Sequence, residues 1–137
     1  MPEHPLIDSR ATLDLADQMD SPHAALRFLS DYLVMLQGRL GRILVGLTGE
    51  DAETSMDAIL SLKISSAMNG AHQAAASCHS LEALVHGGCF EMARAESVKL
   101  TAIVSRLTDS AAALLEQAMA DLGLESLQDT FGASRAA

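Results

Sequence analysis

Ala58-Ile59-Leu60-Ser61-Leu62-Lys63-Ile64-Ser65-Ser66-Ala67-Met68-Asn69-Gly70 decides how the rest of the chain is read. No alternation of period two runs through it, and it stops at Asn-Gly, a helix C-terminal signal. At 100° per residue, with the inner face centred on Leu62, Ala58, Leu62, Ser65 and Asn69 share one side, small or polar enough for a neighbouring helix to come close. The other side carries Met56, Leu60, Lys63, Ile64 and Ala67, with Met68 at its flank. A surface helix is ordinarily polar there. An apolar outer stripe holding a single lysine means that the helix is wrapped on all sides, or that the stripe is a contact surface.

Outward from this stretch, the pattern is helical throughout. Ser21-Pro22 is an N-cap followed by proline at the first helical position. Leu26, Leu29, Leu33, Leu36, Leu40, Ile43 and Leu47 then recur at spacings of three and four, so a helix runs to about Leu47. Gly38, Gly41 and Gly46 weaken it, and they either permit close helix approach or are simply tolerated. Thr48-Gly49 ends it, and Glu50-Asp51-Ala52-Glu53 places negative charge at the start of the next helix, which carries the opening stretch. A third long helix covers about Ala71 to His86, with Ala74, Cys78, Leu81 and Val85 inward, and Gly87-Gly88 breaks it. A fourth covers about Phe90 to Leu122. Its apolar side is built from Ala93, Val98, Leu100, Ile103, Val104, Leu107, Ala111, Leu114, Leu115 and Met119. Unbroken, it would be about 50 Å long, so it extends past its neighbours or bends at Thr108-Asp109. Before Ser21, Leu6, Leu13, Leu15 and Met19 allow a short helix over Ser9 to Gln18, either a lid on the bundle or a frayed end. The expected organisation is therefore an N-terminal segment (1–20), a bundle (21–124) and a small polar tail (125–137) with one last contact at Phe131. Short connections make neighbours antiparallel, which predicts an all-α, up-down four-helix bundle with an extra short N-terminal helix.

Composition agrees. At 137 residues the chain is long enough for one domain with its own core. That core must come from aliphatic side chains, since hydrophobic residues make up 49% but aromatics only 3%. The net charge is −9 and Lys63 and Lys99 are the only lysines, so no basic stripe offers itself to nucleic acid. Cys78 and Cys89 form neither a metal-binding pair nor a disulfide framework, and Cys78 reads as a small buried hydrophobe. No run approaches a membrane span and no basic apolar leader opens the sequence, so the chain reads as a soluble cytoplasmic protein.

The opening stretch resembles the signature helix of histidine-containing phosphotransfer (HPt) domains, the four-helix-bundle relays of bacterial two-component signalling. Their pattern is roughly Ala-His-x-Leu-Lys-Gly-Ser-[Ser/Ala], with Asn and Gly a few residues on. Leu62, Lys63, Ser65, Ser66, Asn69 and Gly70 match it. The segment Ala71-His72 to Leu84, followed by Gly87-Gly88, is similar to the family's next helix and turn. The likeness spans about Pro22 to Leu122 and is specific over Leu62 to Leu84. It implies an HPt-type bundle and a partner that is a response-regulator receiver domain or a sensor histidine kinase. The phosphorylatable histidine, however, falls on Leu60 and the family's small glycine on Ile64. Leucine has no nucleophilic atom, and Ile64 adds a branched side chain where the partner would close. Both changes run toward apolar character.

Other candidate chemistry is weaker. His72, His79 and His86 lie seven apart on one helix flank, about 10.5 Å per step, too far for two to share a metal. They read as partly exposed flank histidines. Lys63 is either a lysine lying over apolar surface or a retained contact to an acidic partner group. Ser65 and Ser66 read as packing residues, and Glu50, Asp51 and Glu53 as a solvated helix start without calcium-loop spacing. No cofactor or metal is expected. Three functional readings follow, in order. First is a non-catalytic, HPt-like signalling module that docks a two-component partner through Met56, Leu60, Lys63, Ile64, Ala67 and Met68. Second is a homodimer through the same face. Last is an active phosphotransfer protein using another histidine. The first two presuppose that residues 1–20 do not cover the stripe.

Overall fold

The structure, a computed structural model, describes residues 5–124; His4, Phe131 and the tail expected from Glu125 lie outside that range. Six helices and no strand occur among the described residues. They are α1 (Ser9–Met19), α2 (Pro22–Thr48), α3 (Ala52–Met68), α4 (His72–His86), α5 (Phe90–Asp109) and α6 (Ala111–Leu122). The chain is all-α, and no helix among the described residues is long and apolar enough to cross a membrane.

Local chemistry sets the boundaries. Asp8, Ser21 and Asp51 cap the first three helices, their side chains accepting from the backbone N–H of Arg10, Ala24 and Thr54. Asp20 closes α1 in the left-handed region at φ 54°. Gly70, at φ +79°, turns the chain from α3 into α4.

Helices α2 to α5 enclose one core, α2 packing against α3 and α5, and α4 against α3 and α5. All seven residues of the α2 stripe are buried, as are Ala74, Cys78, Leu81 and Val85 of α4. Two inward assignments differ from expectation. In α3 the buried set is Ser55, Ala58, Ile59, Leu62, Ser66 and Asn69, while Ser65 is only half-buried. The helix is thus rolled so that Ile59 and Ser66, not Ser65, flank Leu62. In α5, Ala93, Ser97, Leu100, Val104 and Leu107 face inward at spacings of four and three, which leaves Val98 on the opposite side, 67% exposed.

The fourth expected helix is two. It stops at Asp109 and restarts at Ala111, and α6 packs on α1 and α2. A straight continuation would carry Leu114, Leu115 and Met119 beyond the core into water. Folding back at Ser110 half-buries them against it and buries Ala118. α1 docks at the same end of the molecule, over the α3–α4 turn. The Asp8 N–H donates to the Gly70 carbonyl at 2.9 Å, and a side chain at Gly70 would meet Ala11 and the Asp8 backbone at 2.8 Å.

The three α2 glycines divide. A Cβ on Gly46 would sit 2.6 Å from Ser55 Oγ and 3.0 Å from the Ser55 nitrogen, so this glycine sets how closely α2 and α3 approach. Gly38 and Gly41 have open space where a Cβ would go. Gly46→Ala should therefore destabilise by about 1–3 kcal/mol. Gly38→Ala and Gly41→Ala should each stabilise by up to about 1 kcal/mol, by removing backbone freedom from the unfolded chain. Thermal unfolding of the three variants checks this, and the melting temperatures should move in opposite directions.

Candidate functional site

The site is the outer side of α3 with the edges of its two neighbours. Its position follows from two contacts behind it. At one end Ser55 lies under Gly46. At the other, Ser66 is buried and shares a 2.7 Å hydrogen bond with the Tyr32 hydroxyl of α2. The Ser65-Ser66 pair thus has divided duties. Ser66 ties α3 to the core, while Ser65 lies at the seam with α2, where its hydroxyl accepts from Arg39 Nη1 at 2.8 Å.

With α3 held this way, the six residues of the expected stripe spread over an arc. Ile64 is 57% exposed, Met68 42% exposed and Ala67 exposed, so these three form an open apolar face. Leu60 is half-buried one turn before Ile64. Met56 and Lys63 turn toward α4. Met56 packs against the core margin and, with His79, Glu82, Ala83 and His86, lines a groove of about 270 Å³. The Lys63 ammonium pairs with Glu82 at 2.5 Å, both side chains being about one-third exposed. Lys63 therefore already has an acidic partner within the chain. That hydrogen bond is the main cause holding the Glu82 carboxyl below the usual range, with smaller help from the Lys63, His79 and His86 charges.

α1 approaches the far end of this face without closing it. Ala11, Asp14, Leu15 and Gln18 form a cleft of about 180 Å³ with Ala67 and Met68, both of which remain exposed. Ile64 and Leu60 lie further along α3, away from α1.

The histidines of α4 are all exposed. His72 Nε2 lies 3.0 Å from Asp8 Oδ2, and this contact is the largest cause lowering the Asp8 pKa. His79 stands 4.0 Å from Glu82. Among the described residues no group of three or more His, Cys, Asp or Glu side chains is placed to hold a metal ion. Cys78 is fully buried, and burial pushes its thiol up to about 12, so it is a packing residue and not a nucleophile.

Sequence reasoning missed Tyr32, Arg39 and Glu82. Each acts across a helix pair, at sequence separations of 34, 26 and 19 residues from its partner, and periodicity within one helix carries no information about the facing one. The one available signal was Tyr32 itself. It is the only tyrosine in the chain, it sits beside the α2 stripe, and a buried phenol needs a hydrogen-bond partner.

Comparisons of the chain with protein-family models, with curated proteins and with solved structures found no match.

Burial pushes the Tyr32 phenol up to about 12, against a smaller opposing pull from Ser66. Because the folded value lies above the unfolded one of about 10, the linked stability is fully present below about pH 10. It is lost as pH rises through about 12. Tyrosinate absorbance should thus titrate near 12 in the native chain and near 10 in denaturant. Tyr32→Phe should remove this alkaline dependence and cost about 0.5–1.5 kcal/mol at neutral pH, since Ser66 is left without its partner. A native midpoint at the ordinary value would contradict the burial.

Proposed function

We propose that this chain is a non-catalytic, HPt-like signalling module that binds a two-component partner, a receiver domain or a sensor kinase, through the outer face of α3 and transfers no phosphoryl group. The observation that carries the reading is the open apolar face of Ile64, Ala67 and Met68 on α3, beside the residue that stands where a relay keeps its imidazole. The ring of α2, α3, α4 and α5 around one core supports an antiparallel up-down bundle of HPt type. Leu60, at the phosphoacceptor position, is half-buried and chemically inert. Ile64 fills the space that a glycine would leave for an approaching aspartate. Both changes remove chemistry while leaving a surface that favours burial, so the module acts by occupancy: it sequesters a receiver or scaffolds a complex.

A second reading, a two-fold homodimer through the same face, is favoured by the continuation of exposed apolar surface onto α2 at Met35, which is 46% exposed and is joined to the α3 edge through Arg39.

Receiver domains encoded in the same genome, purified and titrated individually by interferometry, test the first reading. The wild-type chain should bind at least one, and Ile64→Asp should weaken that complex by about tenfold or more. Incubated with the phosphorylated receiver, the wild type should take no label, whereas Leu60→His combined with Ile64→Gly should acquire acid-labile, alkali-stable label. Label on the wild-type chain would overturn the proposal. Light scattering at several concentrations reads the second: a dimer that Leu60→Asp and Ile64→Asp both dissolve belongs to this face.

A further inference from the structure

The apolar face alone is small. Ile64, Met68 and Met35 are each already about half covered, and a face of that size binds weakly unless a polar group anchors it. Arg39 is placed to be that group. Its guanidinium bridges the seam between the two helices. Nη1 donates to Ser65 Oγ at 2.8 Å and Nη2 reaches Met35 Sδ at 3.9 Å. The Ser65 hydroxyl proton goes back to the carbonyl of Ser61 or Leu62, at 3.1 and 3.3 Å, which leaves its oxygen free to accept from Arg39. Both partners are neutral, so they fix the position of the guanidinium without cancelling its charge, and most of its donors remain for another group.

The surroundings reinforce this. Arg42, Lys63, Arg94 and Lys99 each pair with a carboxylate of the chain. For Arg39 there is no carboxylate partner among the described residues. At the α2–α3 seam Arg42 is offset by Asp57, 3.1 Å away, and on the other side of α3 Lys63 is offset by Glu82. In a chain of net charge −9, Arg39 thus places a cation with no carboxylate partner among the described residues beside exposed apolar surface.

We infer that Arg39 is the charged anchor of the docking face and receives a carboxylate that the partner presents beside its own apolar side chains. This rests on the reading above and specifies the partner's chemistry: an acidic group at the contact, approached over the α2–α3 seam and not over the α3–α4 groove, where Lys63 is already neutralised by Glu82.

Arg106 supplies the control. Its Nη2 donates to Gln73 Oε1 at 3.1 Å, a neutral partner again, but it lies between α4 and α5, away from the face. With the receiver domain that the wild type binds, Arg39→Ala should raise the Kd by about tenfold, while Arg106→Ala, with the same change in net charge, should stay within about twofold. Arg39→Gln, which keeps length and polarity, should lose as much as Arg39→Ala, and both should flatten the salt dependence of binding. Circular dichroism and thermal unfolding confirm that each variant is folded. Equal losses for Arg39→Ala and Arg106→Ala, full affinity in Arg39→Gln, or an unchanged salt slope overturn the anchor while leaving the docking face standing. No binding by the wild type, or binding indifferent to Ile64→Asp, overturns the docking face and this inference with it.

Discussion

Everything at the outer face depends on the roll of α3 about its own axis, and that roll is fixed by its seam with α2. Gly46 lets the Ser55 end come within backbone contact. The buried Tyr32–Ser66 hydrogen bond holds the other end. Two contacts at opposite ends of one helix leave it little freedom to rotate. A buried hydroxyl pair is also costly to separate, because each oxygen would lose its partner where water cannot replace it. With α3 so held, Ile64 and Met68 must point outward, and Lys63 must point toward α4, where Glu82 meets it.

The same constraint explains why a face this apolar remains open. α2 and α4 occupy the two flanks of α3, and α1 is anchored lower down by the Asp8–Gly70 backbone bond and the Asp8–His72 contact. α1 therefore ends beside Ala67 and Met68 and does not reach Ile64. Its own docking uses the bare backbone of Gly70, so the helix covers the turn and stops short of the stripe. A branched aliphatic and a methionine left exposed on one helix carry an aggregation risk, which binding would remove.

The chemistry of the face is defined as much by what Leu60 and Ile64 lack as by what they add. A relay needs a nucleophile and room beside it. Leu60 offers no lone pair, and Ile64 occupies the room. On the proposed reading, what remains is the part of such a surface that would serve recognition: apolar contact area, a seam with one arginine whose charge no carboxylate among the described residues offsets, and serines that set its geometry. Lys63 is paired with Glu82 and contributes to the α3–α4 contact.

The all-α class and most helix boundaries were legible in the sequence because caps and periodicity are local. Ser21-Pro22, Asp51, Asn69-Gly70 and Gly87-Gly88 act within a few residues of themselves, and the α2 and α4 stripes are long enough to define one inward direction. The outward direction of Ile64, Ala67 and Met68 on α3 was legible for the same reason, whereas the turn of Met56 and Lys63 toward α4 was not. Only the tertiary structure decided three things. It chose Ile59 and Ser66 over Ser65 as inward residues, because in a helix apolar nearly all round the sequence pattern leaves the roll open to about one residue. It broke the last helix at Ser110, because the gain comes from burying α6 on α1 and α2, the first two elements of the chain. And it gave Arg39 its Ser65 and Lys63 its Glu82, since a side chain's partner on another helix is set by packing, which no spacing within its own helix encodes.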